Sequence, residues 1–123
     1  MAKVDRFEDL RCWQMARKLT AKVDRMSFEE PLSKDFDTRS QFRTTALSVM
    51  NTIAEGFGRY SDKDFIRFLD YSAASCTEVK SMTYLLLDLE YFNRERMKEL
   101  QNEIEATRAT TLALIKYLRN KNQ

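Results

Sequence analysis

The most chemically unusual stretch of the chain is 51–59, Asn-Thr-Ile-Ala-Glu-Gly-Phe-Gly-Arg, which holds both glycines of the protein. Gly56 and Gly58 flank Phe57, with Glu55 before them and Arg59 after. A Gly-x-Gly segment exposes successive backbone N–H groups that can cradle an anion. A helix stop explains the same glycines, because Gly accepts the left-handed conformation that ends many helices. Both readings stand at this point. Glu55 near a helix C-terminus opposes the dipole, so it calls for a cationic partner. A second set is cationic. Arg39 and Arg43 lie one helical turn apart beside Gln41, and Arg59, Lys63 and Arg67 continue the positive charge across the next junction. Such side chains are candidate phosphate contacts in a nucleic-acid interface, and binding through them weakens with salt. Asp35, Asp37, Asp62 and Asp64 interleave with them, so a solvated face of paired charges is the competing reading.

Other chemistries lack their residues. The chain has no His, which removes Ser-His-Asp and Cys-His catalysis, His-ligated zinc and the Glu-x-x-His motif of di-iron bundles. Two Gly exclude a Gly-rich phosphate loop. Cys12 and Cys76 fall at apolar helical positions with no Cys-x-x-Cys spacing, and read as buried reduced thiols. No inward pair of carboxylates marks an acid-base centre. The expectation is therefore no enzyme, no catalytic residues, no metal or cofactor, and no evident small-molecule substrate.

The elements that position these residues are helical. At 123 residues with 43% apolar and 33% charged content, the chain fits one domain, 1–123, with a core of its own. One Pro and two Gly are too few for the turns of a β-sandwich. Apolar residues instead recur every three to four positions. Helix spacing runs over 7–27 (Cys12, Ala16, Leu19, Val23, Met26), 37–55 (Phe42, Ala46, Val49, Ile53), 61–89 (Phe65, Leu69, Cys76, Val79, Leu86) and 93–119 (Met97, Leu100, Ile104, Leu114, Leu118). Pro31 separates the first two. Ser33, Asp35, Asp37 and Thr38 are all possible caps for the second. Ser61 and Asp64 form a capping-box pattern with Tyr60 and Phe65 as a hydrophobic staple, and Phe92 and Met97 repeat the staple around Asn93. Short connections make neighbouring helices antiparallel, which predicts an all-α, up-down-up-down four-helix bundle.

Charge is uneven along the chain. Residues 1–27 and 93–123 each carry net +3, 28–60 carry −1 and 61–92 carry −3. The basic quarters either face a polyanion or lie against the acidic quarters, within one chain or between copies. Phe68 and Tyr71 fall off the main stripe of the third helix, and a second apolar face calls for burial by self-association. No apolar signal core opens the sequence, and no run approaches the roughly 20 apolar residues of a membrane span, so a cytoplasmic protein is expected.

Several of these residues carry a resemblance. Phe7-Glu8-Asp9-Leu10 with Trp13 and Ala16, then Gln41-Phe42-Arg43 with Ala46 and Ser48, resemble the bacterial 23S rRNA intervening-sequence family of four-helix-bundle proteins. Ile53-Ala54-Glu55-Gly56-Phe57-Gly58-Arg59 is the most specific part, followed by Ser61, Lys63, Phe65, Phe68-Leu69, Ser75 and Glu78. Thr52 stands where the family usually has Asn, Thr44 where a second Arg often follows, and Ala74 where Gly precedes Ser75. The resemblance spans nearly the whole chain. It implies a cytosolic antiparallel bundle that assembles as a ring-like homopentamer, in a family whose biochemical role is poorly defined. A related bundle is a nucleic-acid-binding accessory subunit of retroelement reverse transcriptases, an analogy only. The combined expectation is a non-enzymatic, self-assembling bundle that binds RNA or DNA. The alternative is a protein-interaction or scaffold module with no nucleic-acid role.

Overall fold

The computed structural model describes residues 4–121, and they are helical with no strand among them. Helices α1 (Arg11–Ser27), α2 (Phe36–Phe57), α3 (Asp62–Asp88) and α4 (Arg94–Lys121) form the expected antiparallel four-helix bundle. Each helix packs on its two neighbours, α1 on α2, α2 on α3, α3 on α4 and α4 on α1. The core is the predicted stripe: Leu19, Val23, Phe42, Val49, Ile53, Leu69, Val79, Leu86, Met97, Leu100 and Ile104 are all buried.

Local chemistry sets most boundaries. Of the four candidate caps for α2, Asp35 is the one used, accepting from the Thr38 N–H at 3.3 Å. Its other oxygen accepts from the Tyr91 hydroxyl at 2.8 Å, tying the start of α2 to the α3–α4 turn. Hydrogen bonds from Thr38, then from Tyr91, hold the Asp35 carboxyl below its usual range. Ser61 caps α3 through the Asp64 N–H at 3.2 Å, and Asn93 caps α4 through the Arg96 N–H at 2.8 Å. Phe92 and Met97 are both buried in one cluster, as the second staple requires.

Three expectations are corrected. The first helix does not begin at Phe7: a 3-10 turn (Phe7–Asp9) precedes α1, and Phe7 meets Trp13 edge-on at 5.1 Å. The Tyr60–Phe65 staple does not form, because Tyr60 is fully exposed and Phe57 packs on Phe65 instead, centroids 5.8 Å apart. Neither glycine is left-handed. Gly56 lies inside α2 and Gly58 caps it at φ −76°. The left-handed residue is Glu90 at φ 61°. It ends α3 in a Schellman motif, with Tyr91 N–H on Leu86 C=O at 3.0 Å and Glu90 N–H on Leu87 C=O at 2.9 Å.

What Gly56 provides is proximity. A Cβ built there lies 2.5 Å from Phe68 Cβ and 3.0 Å from a Phe65 ring carbon. Hydrogen bonds join the α2–α3 seam elsewhere. Ser48 and Ser75 share a hydrogen bond at 3.0 Å, and Ser72 donates to the Val49 carbonyl at 2.7 Å. Small side chains let the two backbones approach, and their hydroxyls find partners that satisfy them.

Candidate nucleic-acid interface

The sequence places Arg39, Arg43, Arg59, Lys63 and Arg67 in one cationic track, and the structure divides them. From Arg43 to Phe57, α2 rises about 21 Å at 1.5 Å per residue. Arg59, Lys63 and Arg67 therefore gather at one end of the bundle and Arg39 and Arg43 toward the other.

At the α2–α3 turn, Phe68 is the centre. Its side chain is buried on α3, with its Cβ facing Gly56. The Arg59 guanidinium lies over it at 4.6 Å and that of Arg67 at 5.3 Å. Tyr71 meets the same ring edge-on at 5.6 Å. Of the two aromatic residues off the main stripe of α3, Phe68 is thus covered within the chain by two of its own cations, while Tyr71 stays exposed. Arg67 also reaches Asp64 at 3.3 Å. Arg59 and Lys63 are accessible to solvent, and neither has an acidic partner among the described residues. A guanidinium stacked on a ring keeps its in-plane N–H groups free for an oxyanion.

Of the two readings of Gly-x-Gly, the helix stop is the one the backbone bonds fit, and the anion cradle does not form. The Gly58 N–H bonds the Ala54 carbonyl at 3.3 Å and the Arg59 N–H bonds the Gly56 carbonyl at 3.1 Å, so both donors are spent on closing α2. Positive charge at this turn comes from side chains.

The second cluster lies between α1 and α2. Arg39 donates to the Ser33 carbonyl at 3.0 Å and sits over the Phe36 ring at 5.4 Å. Arg43 pairs with Asp24 at 2.7 Å and sits over Phe28 at 5.5 Å. Arg17, over Trp13 at 5.7 Å, completes the set from α1. The paired-charge reading thus holds for Arg43 and Arg67 and fails for Arg39, Arg59 and Lys63. Sequence reasoning missed Arg17 and Phe36. Their signal was the spacing Trp13/Arg17 and Phe36/Arg39, four and three residues apart on one helix face. The Arg43–Phe28 contact crosses two elements and had no such signal.

The motif residues divide by role. Ile53 is core, Ala54 is half-buried against it, Gly56 sets the seam, and Ser75 bonds across it. Gly58 closes α2. Gln41, Glu55 and Glu78 are exposed. The cation called for by Glu55 is not found, for no described residue forms an ion pair with this exposed carboxylate. Gln41 and Glu55, fourteen residues apart, share one face of α2.

Elsewhere the basic and acidic quarters do meet within the chain. Arg119 reaches Asp70 at 3.7 Å and Lys121 reaches Asp62 at 3.3 Å. Arg96 binds Glu29 through two hydrogen bonds of 2.7 Å, and these hold the Glu29 carboxyl below its usual range. Cys12 and Cys76 are free and buried, and burial pushes their thiols up to about 11 and about 12. Among the described residues, no three Cys, Asp or Glu gather where a metal ion fits, and no helix is long and apolar enough to cross a membrane.

Fold and surface together define an antiparallel four-helix bundle presenting arginines stacked on aromatic rings at the α2–α3 turn, between α1 and α2 and, as Arg96 over Phe92, at the start of α4. Residues 8–112 match the family described as 23S rRNA-intervening sequence protein, and the chain belongs to that family. It is also similar to a crystal structure of a protein with unknown function from the S23 ribosomal protein family of Bacteroides thetaiotaomicron. The TM-score is 0.79 at 21% identity, over 85% of this chain and 95% of that one, a likeness of fold. Among curated proteins, none matches the chain.

Proposed function

We propose that this protein is a non-enzymatic, self-assembling bundle that binds RNA or DNA in the cytoplasm through its cationic surface. The observation that carries the reading is the α2–α3 turn: Arg59 and Arg67 stacked on one buried ring, with Lys63 nearby and no acid on Arg59 or Lys63 among the described residues. Stacking pre-orders each guanidinium, so less entropy is lost when it meets a phosphate. Self-association, as a homopentamer by the family resemblance, draws support from Tyr71 and Leu85, 48% and 45% exposed on α3. Buried free thiols fit a reducing compartment.

The test is binding of a structured RNA and a duplex DNA over a salt series. Affinity falling linearly in log-log form supports the reading, and the Arg59→Ala/Arg67→Ala variant lowers the slope by about 1 for each phosphate it no longer neutralises. No binding at low salt, or binding indifferent to salt, overturns it. The alternative, a scaffold module without nucleic acid, is favoured by Arg119–Asp70 and Lys121–Asp62, which spend charge of the basic C-terminal quarter inside the chain. It predicts an oligomer in light scattering that loosens in high salt and no affinity for either polymer.

A further inference from the structure

The α1–α2 groove differs from the α2–α3 turn in what it leaves open. It has a volume of about 690 Å³ and is lined by Arg17, Asp24, Phe36, Arg39, Arg43 and Leu47, among others. That is the size of sites that take small organic groups. Its charge is positive, because Asp24 offsets Arg43 alone. The Arg39 Nε is buried and has no hydrogen-bond partner. Phe36 on the wall and Phe28 beside it are 67% and 63% exposed, although each has a guanidinium over it. Large apolar rings this open, set among cations, meet water unfavourably and have no role in the core.

We propose that this groove holds an unpaired polynucleotide strand, with bases stacked on Phe28, Phe36 and the arginine planes and the backbone drawn in by Arg17 and Arg39. The inference rests on the nucleic-acid reading above and sharpens it from any polyanion to single strands. Charge complementarity selects an anionic occupant, and the exposed planes select an aromatic one. A single strand offers both, while a duplex has its bases already stacked on each other. A peptide of acidic residues alone would satisfy the charge and leave the rings uncovered.

Fluorescence anisotropy on the full chain, with a labelled oligouridine, a single-stranded oligodeoxythymidine and a blunt duplex of equal length, tests this. The expected result is single strands bound at least about tenfold more tightly than duplex. The Phe28→Ala/Phe36→Ala variant should lose roughly tenfold per ring for single strands, with the salt slope unchanged. Both phenylalanines are exposed, and circular dichroism confirms that the variant folds. The two single-strand arms show whether the sugar matters. Equal affinity for duplex, an unaltered double variant, or displacement by polyglutamate as efficient as by unlabelled strand overturns the groove proposal alone. Failure to bind any of the three polymers overturns it together with the function proposed above.

Discussion

Toward α3, helix α2 presents Ser48, Gly56 and the Val49 carbonyl; toward α1 it presents Arg39, Arg43, Leu47 and Met50. The first edge closes until a single added Cβ would collide with Phe68. The second is bridged where Thr20 donates to the Ala46 carbonyl at 3.1 Å, and opens beside that bond into a groove. Both edges stack arginines on rings, yet with opposite results. At the tight edge Phe68 is buried and the guanidinium groups of Arg59 and Arg67 lie over it. At the open edge Phe28 and Phe36 remain exposed beneath Arg43 and Arg39. The tight edge thus offers charge alone, and the open edge offers charge with planar apolar area from Phe28 and Phe36 at its helix ends.

Both edges rest on one interior, and the largest effect is expected from titrating it. Burial raises Cys12 to about 11 and Cys76 to about 12 from a thiol value of 9.0. A group whose folded pKa is raised contributes stability that is complete below its unfolded pKa and lost as pH climbs through the folded one. Between pH 9 and 11 each thiol should therefore cost about 1.4 kcal/mol per pH unit. Urea midpoints should fall steeply over that window, and the Cys12→Ala/Cys76→Ala variant should flatten the decline. A wild type with equal midpoints at pH 9 and 11 would contradict a shared thiol-bearing core.

The contrast between edges is broken most directly at Gly56. Gly56→Val forces atoms into the Phe68 and Phe65 contacts and should cost about 2–3 kcal/mol by overpacking. Leu47→Ala, on a residue 44% exposed at the open edge, should change stability by no more than about 0.5 kcal/mol. Similar losses in chemical denaturation would mean that the edges are packed alike. Glu90→Gly removes a left-handed non-glycine residue at the α3–α4 turn, away from both edges. The roughly 1 kcal/mol of strain relieved exceeds the chain entropy added by glycine, for a net gain of about 0.5 kcal/mol. Thermal melting should show that gain.

The smallest effect concerns acid. Asp35 has its folded pKa lowered by Thr38 and then Tyr91, so its contribution is present above the ordinary carboxylate pKa and lost as pH falls through the folded value. Tyr91→Phe removes one of those bonds and should make the acid limb of a stability profile shallower. An unchanged profile below pH 4 would show that the Tyr91 bond carries no stability.

The helices were legible because their signals are local. Three- and four-residue spacing marked the core stripes, Pro31 marked the first break, and Ser61 and Asn93 are the caps the sequence pointed to. The misreadings were local rules that lost to packing. Glycine at 56 looked like a stop and is a point of close approach, and Tyr60 lost its staple to Phe57. The candidate site was half legible. The cations were visible, but their division into two clusters followed from α2 being a continuous rod between them.

By itself, the sequence determined the number of helices, their stripes and the lack of any histidine, since composition and periodicity are read along the chain within a few residues. Only the tertiary structure decided that Asp35 caps α2 while holding Tyr91, that Arg43 covers Phe28 and that Arg59 shares Phe68 with Arg67. Those pairings depend on how closely and in what register separate helices pack. A side chain's distance to a partner on another element is fixed by that packing and written nowhere in its neighbours along the chain.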